Sequence, residues 1–444
     1  MVLKNKQEPF ILFIGDGLVF ILSLWLTLGI RYGEVPSMER WDSHLGAFSV
    51  LFGVSFLTFL IAGLYEKQTS TWQSKLPSTL LYTQLSNVII AILFFYFIPF
   101  FGITPKTNLF IYLAVSTSLL FLWRIYGVRF FNLGQKEKIA IIGTTNEMAE
   151  LVAELSKNKR YKSIIEASID IDKVSDEELS NFFENLSSKS ISLIIADTDH
   201  PKMSHIMSKH YDALLFNINV LNIHTVYEHI YDRVALNSIN YSWLTYINRR
   251  SVVFYDAFKR LMDLFIAGIM IIITFPFFPF VAILIRLEGK GPIFITQNRV
   301  GKGGKKISMY KFRTMLYSDE GVWLSESENR VTEIGRLLRK TRIDELPQLI
   351  NVIKGDISLI GPRPDIGGLG EKLVNEIPYY MTRYAVLPGL SGWAQIQQVK
   401  PPQSLDETRM RFAYDLYYIK NRSFILDVRI ALRTIYILLS RTGM

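Results

Sequence analysis

Long, nearly uncharged apolar stretches fill the first part of the chain. Three of them, Phe10 to Ile30, Gly46 to Tyr65 and Leu81 to Ile103, are long enough to cross about 30 Å of hydrocarbon as helices. A fourth stretch, Leu109 to Trp123, is shorter, and its terminal tryptophan is typical of the membrane interface. The pattern therefore predicts four transmembrane helices within residues 1–130.

Asp16 lies inside the first of these stretches. A charge at the centre of a span costs roughly 2.5 to 3.5 kcal/mol, and each Leu, Ile or Phe returns about 0.3 to 0.6 kcal/mol. The apolar side chains around Asp16 therefore outweigh its cost. We predict that Asp16 makes a structural hydrogen bond between helices or lies near the interface, and a functional polar contact within the membrane is the alternative.

Basic residues lie on one side of the predicted spans. They precede the first span and follow the second and the fourth, whereas residues 31–44 are net acidic. Loops rich in Lys and Arg stay in the cytoplasm, so the N terminus and everything after residue 124 are predicted to be cytoplasmic. The basic residues are Lys4, Lys6, Lys67, Lys75, Arg124, Arg129, Lys136 and Lys138.

Short apolar runs alternate with polar helical stretches between residues 136 and 225. This order, β-α-β-α-β, predicts a Rossmann-like domain with a parallel, doubly wound sheet. The segments are Ile139–Ile142, Asn146–Ser156, Ile164–Ile169, Asp176–Asn185 and Ile191–Ile195.

The turn after the first predicted strand carries a single glycine, Gly143, where a dinucleotide-binding domain has three. Without the other two glycines the backbone cannot approach a pyrophosphate closely. A structural or regulatory module is therefore favoured over dinucleotide binding. Residues 226–254 read as a less regular connector.

A second kind of membrane segment follows the connector. Leu264 to Ile285 has no charged residue, but Pro276 and Pro279 interrupt it, and a proline breaks a helix. Both flanks are basic, which a spanning helix does not favour. We predict a re-entrant helix, about 261–286, that enters the membrane and returns to the cytoplasmic side. The alternative is a kinked transmembrane helix, which would place the remaining residues outside the cell.

The net charge of +9 agrees with a protein that lies against anionic lipid and handles phosphates. Between Arg299 and Arg342 eleven Lys or Arg residues stand against five acidic ones, which suits polyanionic substrates, and attraction to the membrane surface is the competing interpretation. Nucleic acid would also explain basicity, but no nucleic-acid motif supports it. The absence of cysteine excludes disulfides, thiolate catalysis and cysteine metal sites.

Asp344 and Glu345 are adjacent carboxylates beside arginines. Thr341 and Asp344 have the spacing of a helix cap, and Pro347 is tolerated in a first turn, so both carboxylates are predicted near a helix N terminus. Such a pair allows one carboxylate to attack phosphorus while the other holds Mg²⁺ against a diphosphate. A simple helix cap is the plainer interpretation of the spacing alone.

Seven motifs follow one another from Tyr255 to the C terminus. They are Tyr255–Asp263, Gly291–Phe294 with Gln297–Gly301, Lys311–Met315, Arg342–Gln348, Gly355–Pro364, Pro388–Gln395 and Asp415–Tyr418. This ordered set resembles the bacterial sugar transferase family, the monotopic phosphoglycosyl transferases. With the preceding spans and α/β domain, the chain resembles the large form of that family, the polyprenyl glycosylphosphotransferases.

The resemblance implies a bacterial enzyme of the inner (cytoplasmic) membrane that transfers a hexose-1-phosphate from a UDP-sugar to undecaprenyl phosphate and releases UMP. This is the first membrane step of polysaccharide assembly (O-antigen, capsule or exopolysaccharide). It also implies that Asp344 forms a covalent aspartyl-phosphosugar and that Glu345 binds the required Mg²⁺. The basic residues expected to contact substrate are Arg299, Lys311, Arg313, Arg342 and Arg363. For Arg363, between two prolines, a rigid structural turn is the alternative.

One loop departs from the family pattern. After Gln395 the family commonly continues with a Val-Asn-Gly turn, whereas this chain has Ile396 to Pro402. The sugar therefore stays undetermined, with galactose or glucose the usual choice of large members. The last helix, Phe424 to Ser440, has the pattern of an interfacial amphipathic helix, or of one packed against a second subunit, and a homodimer is expected.

The predicted fold class is membrane α plus α/β. It comprises a four-helix transmembrane bundle, the Rossmann-like domain at 136–225, the connector at 226–254 and a mainly helical catalytic domain at 255–444. Two other functions remain open: a membrane-anchored sensor that binds a ligand through its α/β domain, and a Mg²⁺-dependent UDP-sugar diphosphate hydrolase.

Overall fold

The computed structural model describes residues 8–65, 70–97, 106–124, 137–143, 145–158, 163–185, 191–209, 218–239, 243, 253–315, 331–398 and 400–440. The described chain is mostly helical, with apolar helices near its N terminus and a small parallel sheet. It divides into two compact units, Met1–Tyr231 and Asp232–Met444. Five residues used to predict orientation lie outside the described part: Lys4, Lys6, Lys67, Arg129 and Lys136. The domain boundaries given above stay predictions.

The first unit begins with four apolar helices, α1 (Glu8–Tyr32), α2 (Met38–Ile61), α3 (Ser70–Phe97) and α4 (Lys106–Leu122). By length and hydropathy α1, α2 and α3 each contain a segment able to cross a membrane, and α4 is a shorter apolar helix. Helix α1 packs against α2 and α4, and α3 packs against the same two helices. This arrangement agrees with a membrane bundle, although α3 starts earlier than the predicted third span.

A buried ion pair joins two of these helices. Asp16 of α1 is fully buried, and Arg124, just beyond α4, donates from Nε to its Oδ1 (3.1 Å) and from Nη2 to its Oδ2. Tyr65 donates to the same carboxylate at 2.8 Å. Asp16 thus makes the contact between helices that its position favours. Arg124, one of the basic residues used above to predict orientation, is thus paired with Asp16 in the structure.

A four-stranded parallel sheet follows, in the order β2-β1-β3-β4. Residues 139–142 of β1 are fully buried, because helices cover both faces of a parallel sheet. The three predicted strands and two predicted helices are present, and β4 is an addition. The elements are β1 (Glu137–Gly143), α5 (Thr145–Lys157), β2 (Ser163–Asp170), α6 (Asp176–Glu184), β3 (Leu193–Ala196), α7 (Pro201–Lys209), β4 (Asn219–Asn222) and α8 (Ile223–Tyr231).

Gly143 has a packing explanation. A Cβ atom at this position would lie 2.7 Å from Cδ1 of Ile223, the first residue of α8, so only glycine fits without a shift. The glycine therefore allows close packing of a helix against the end of β1. This agrees with a structural role for the turn rather than a role in phosphate binding.

The second unit starts with a bent apolar helix. Helix α9 (Val253–Thr274) gives way to a 3-10 turn at Phe275–Phe277, and α10 (Phe278–Leu287) follows. Pro276 lies in the first turn of the 3-10 segment and Pro279 in the first turn of α10, the positions where a missing N–H is tolerated.

The two arms of this bent helix pack against the same strand, β6 (Lys306–Phe312). In α9, Ala267 belongs to an apolar cluster with Met309, and in α10 the ring of Phe278 lies 5.0 Å from that of Phe312. Both arms of the segment therefore pack on the same part of the second unit. Its outer surface is apolar, since only 11% of its most hydrophobic window is buried.

The rest of the second unit surrounds a core that includes Trp393, Phe412 and Leu416. Strand β5 (Phe294–Val300) pairs with β6 in an antiparallel hairpin, and short strands β7 (Ser358–Ile360) and β8 (Gly389–Ser391) pair in parallel. The helices are α11 (Glu333–Thr341), α12 (Leu349–Lys354), α13 (Gly367–Glu376), α14 (Trp393–Gln397), α15 (Leu405–Asn421) and α16 (Phe424–Ser440), with 3-10 segments at Leu236–Ser238, Lys302–Gly304, Ile343–Gln348 and Tyr380–Ala385.

Candidate active site

Asp344 and Glu345 lie in the first turn of the 3-10 helix between α11 and α12. The chain reverses just before them at Arg342, whose φ of 57° is a left-handed value that is uncommon for a residue with a side chain. The predicted cap by Thr341 is wrong, because its hydroxyl donates back to the carbonyl oxygen of Leu337 at 2.9 Å. The turn at Arg342, not a threonine cap, therefore sets the direction of the two carboxylates.

Glu345 gathers three cations around one oxygen atom. Its Oε1 lies 2.9 Å from Nη2 of Arg363, 3.1 Å from Nζ of Lys311 and 3.7 Å from Nη1 of Arg342. Burial raises the pKa of Glu345, but Arg363, Lys311 and Arg342 outweigh burial and hold this pKa well below its usual range. Glu345 is therefore ionised, and it draws together basic residues from β6, from the loop after β7 and from the end of α11.

Asp344 is 6% exposed, and its Oδ1 atom is buried without a hydrogen-bond partner among the described residues. Burial, followed by the negative charge of Glu345, raises the pKa of Asp344 to about 6, although Lys311 and Arg342 act in the opposite sense. A buried polar atom without a partner is costly and is rare in folded proteins. Asp344 thus keeps one carboxylate oxygen that makes no hydrogen bond to the described residues.

A second network, of hydrogen bonds and ion pairs, fixes the backbone at Arg363. Its carbonyl oxygen accepts a hydrogen bond from Nη2 of Arg383 at 2.9 Å. Arg383 is 4% exposed, pairs with Asp415 at 2.8 Å and also pairs with Asp365. The Pro-Arg-Pro loop is therefore fixed both by its prolines and by this buried arginine. No motif identified in the sequence includes Arg383.

The remaining predicted site residues lie in two places. Arg299 donates to the carbonyl oxygen of Pro364 at 3.4 Å and so flanks the loop that carries Arg363. Arg313 donates to the carbonyl oxygens of Ile285 (3.0 Å) and Gly289 (2.7 Å), at the end of α10. Arg313 therefore secures the end of the bent helix, and the structure does not bring it to Glu345.

A cavity of about 660 Å³ opens beside Glu345, a volume typical of small-molecule sites. Glu345, Arg342 and Arg363 line it, as do Arg339 and Lys340. The site therefore combines a carboxylate pair with an excess of positive charge, as a site for phosphates requires.

Arg411 of α15 also lines this cavity, and sequence analysis missed it. Its Nε atom is buried without a hydrogen-bond partner among the described residues. Burial lowers the pKa of Arg411, since nearby Asp415 compensates the desolvation incompletely. The nearest motif begins only at Asp415, so nothing local in the sequence points to this arginine.

The carboxylate pair fits one kind of metal ion. In the described part of the chain no three His, Cys, Asp or Glu side chains are grouped to hold a metal. Mg²⁺, however, is commonly held by one or two carboxylates together with substrate phosphates. Glu345, next to an Asp344 oxygen that has no hydrogen-bond partner among the described residues, suits an ion that arrives with a diphosphate, and this pair does not suit a closed cage of protein ligands.

Comparison with known proteins gives a consistent result. Residues 254–441 match the family model described as Bacterial sugar transferase. A UDP-N-acetylgalactosamine-undecaprenyl-phosphate N-acetylgalactosaminephosphotransferase of Aeromonas hydrophila is 40% identical over 232 residues, which are 52% of this chain and 54% of that protein. The chain thus spans about half the length of this relative.

Two other relatives match a smaller share of this chain. The exopolysaccharide production protein PSS of Rhizobium leguminosarum bv. phaseoli is 40% identical over 41% of this chain and 96% of its own length. A UDP-glucose:undecaprenyl-phosphate glucose-1-phosphate transferase of Caulobacter vibrioides is 38% identical over 42% of this chain and 71% of its own length.

Proposed function

The chain belongs to the bacterial sugar transferase family, and we propose that it transfers a sugar-1-phosphate from a UDP-sugar to undecaprenyl phosphate. The products are UMP and a polyprenyl diphosphate-sugar. Relatives named for N-acetylgalactosamine and for glucose support a sugar-phosphate transfer and leave the sugar open. The step supplies a lipid-linked sugar for polysaccharide assembly.

The observation that carries this proposal is the contrast between the two carboxylates. Glu345 is surrounded by Lys311, Arg342 and Arg363, whereas Asp344 keeps a buried oxygen without a partner among the described residues. A nucleophile needs such an unengaged oxygen, and a diphosphate needs the cations. One carboxylate thus acts on phosphorus while its neighbour organises charge.

The reaction proceeds in two displacements at the same phosphorus atom. First, an oxygen of Asp344 attacks the phosphorus that bears the sugar, the bond to the bridging oxygen breaks, and UMP leaves with the electron pair. Next, a phosphate oxygen of undecaprenyl phosphate attacks the aspartyl phosphosugar, and the bond to Asp344 breaks. The carboxylate is regenerated and no net proton is consumed.

The basic residues reduce repulsion between the negatively charged reactants. Arg363 and Lys311 are pre-positioned by Glu345, so little reorganisation is needed when a diphosphate binds. Glu345 would hold Mg²⁺ together with the substrate, and this ion would offset charge on the diphosphate.

We assign the bent helix α9–α10 to the cytoplasmic half of the membrane. The apolar outer surface of the two arms and their packing on one body support a re-entrant segment. A carboxylate pair near the membrane surface is accessible both to a soluble UDP-sugar and to a lipid phosphate. The inner membrane, the cytoplasmic position of residues 255–444 and a homodimer remain predictions.

The proposal is tested by incubating the purified protein with a panel of UDP-sugars, including UDP-N-acetylgalactosamine and UDP-glucose. We expect one UDP-sugar to react when undecaprenyl phosphate is present, giving UMP and the lipid diphosphate-sugar. The Asp344→Asn variant should not react with that UDP-sugar. Free sugar phosphate formed without acceptor would instead identify a hydrolase. Activity that survives Asp344→Asn would remove Asp344 from the reaction.

A further inference from the structure

The cavity beside Glu345 has two chemically different ends. At one end lie Glu345 and a group of cations that includes Arg342, Arg363 and Arg411. Beyond them the cavity continues as a groove between α9 and α16, the helix near the C terminus. A single space therefore presents a strongly basic end and an apolar end to whatever occupies it.

One face of each helix forms the apolar walls. From α9 the lining residues are Phe258, Met262, Ile266 and Met270, spaced four residues apart, so they form one stripe along the helix. From α16 the apolar lining residues include a set with a similar helical spacing, namely Phe424, Val428, Ala431, Ile435 and Leu438. Several of these side chains are well exposed, for example Phe424 at 48% and Ile435 at 47%.

Charged side chains within these walls form hydrogen bonds with neighbouring groups of the protein. Asp427 of α16 accepts hydrogen bonds from Tyr255 (2.7 Å), Lys259 (2.8 Å) and Tyr418 (2.9 Å). Asp263 of α9 accepts one from the backbone N–H of Leu359 at 3.1 Å. These contacts tie α9 to α16 and fix the width of the groove, and they neutralise charge that would otherwise oppose a hydrocarbon.

We propose that this groove binds the isoprenoid chain next to the phosphate of the lipid acceptor, with that phosphate held at the basic end by Arg411 and its neighbours. The inference rests on the proposed function and adds a binding site to it. A UDP-sugar has no hydrocarbon to place between α9 and α16. A phosphate on an apolar chain matches both ends, and the exposed apolar surface of α9 gives such a chain a route from the membrane.

The first test fills the groove and uses a matched control. Val428 lines the groove and is 38% exposed, whereas Ile425, three residues away on α16, is 80% exposed and does not line it. We expect Val428→Trp to raise the KM for undecaprenyl phosphate roughly tenfold, equivalent to about 1.4 kcal/mol. Ile425→Trp should leave that KM unchanged.

Exchange of labelled UMP into the UDP-sugar separates this inference from the proposed function, because the exchange requires no acceptor. Val428→Trp should exchange UMP at the wild-type rate, which also shows that the variant is folded. Equal KM values for the two tryptophan variants would overturn the groove assignment while leaving the transferase intact. Loss of exchange in wild-type protein would overturn the two-step transfer itself.

A second test measures binding without turnover. A photo-reactive benzoyl-phenylalanine replaces Met270, which lines the groove, or Ile272, which is 75% exposed and does not line it. We expect an alkyne-tagged polyprenyl phosphate to label the Met270 variant more strongly. Undecaprenyl phosphate should compete for that labelling, whereas an excess of phosphatidylglycerol should not. Competition by phosphatidylglycerol, or equal labelling of both variants, would mean that bilayer lipid occupies the groove.

Discussion

Asp344 and Glu345 are adjacent in the chain, yet their surroundings give them opposite properties. Three cations lower the pKa of Glu345, while burial and the charge of Glu345 raise the pKa of Asp344 to about 6. The chain has a left-handed residue, Arg342, just before the pair, and among the described residues Glu345 contacts three cations while one oxygen of Asp344 has no hydrogen-bond partner. Such a difference in surroundings and pKa allows two adjacent carboxylates of one motif to serve different roles.

Removal of Arg383 tests how the site is supported. Arg383→Met leaves the buried Asp415 without its ion-pair partner, which costs about 3 to 5 kcal/mol of unfolding free energy. It also frees the carbonyl oxygen of Arg363, so the KM for the UDP-sugar should rise. Thermal unfolding in detergent and donor kinetics measure the two effects.

Arg409→Met serves as the control for that experiment. Arg409 is on α15, and its ion pair with Asp406 is exposed, so its loss should cost only about 0 to 1 kcal/mol. Equal destabilisation by the two substitutions would contradict the supporting role of Arg383. If the Arg383→Met protein is destabilised but its KM for the UDP-sugar is unchanged, Arg383 stabilises the fold without supporting donor binding.

The sequence predicts the residues of this site unevenly. Asp344, Glu345 and Arg363 lie in recognisable motifs, and the structure joins Arg363 to Glu345 directly. Arg383 and Arg411 lie outside those motifs, because their importance arises from contacts across the fold that no local spacing records. The site assignments themselves remain predictions until they are measured.

At the level of elements, hydrophobic pattern is a good guide where a helix or strand is long and uniformly buried. It locates α1, α2 and the three strands 137–143, 163–170 and 193–196. It misses β4, whose sequence Asn-Val-Leu-Asn is short and of mixed polarity. The expected cap at Thr341 failed because tertiary packing fixes the turn at Arg342 instead.

The ion pair between Asp16 of α1 and Arg124 after α4 can be tested by substituting each residue alone and both together. Asp16→Leu or Arg124→Leu alone leaves an uncompensated buried charge and should each cost about 3 to 5 kcal/mol of stability. The double variant removes both charges and should be more stable than the sum of the single losses predicts. Thermal denaturation in detergent measures all three proteins, and strictly additive losses would mean that the two residues do not interact.

For the whole molecule, we predict that the N terminus and the second unit lie on the same side of the membrane. The chain has no cysteine, so single cysteines report their side cleanly. Glu34→Cys, between α1 and α2, should react with a membrane-impermeant maleimide on intact cells. Lys302→Cys, at the β5–β6 turn, should react only after the membrane is permeabilised. Labelling of Lys302→Cys from outside would exclude the re-entrant arrangement.

The relatives add a further whole-molecule point. The Rhizobium protein is matched over 96% of its length by 41% of this chain, and the Bacterial sugar transferase family model covers residues 254–441. The bundle and the parallel sheet lie outside the residues that this family model matches.

The central claim is that Asp344 becomes covalently linked to the phosphosugar. The most direct measurement is rapid acid quench of the protein with a UDP-sugar carrying ³²P in the phosphate next to the sugar, followed by mapping of labelled peptides. The account predicts label on Asp344 in the wild-type protein, loss of that label on addition of undecaprenyl phosphate, and none on Asp344→Asn. Label retained by Asp344→Asn, or direct transfer without any labelled protein, would contradict it.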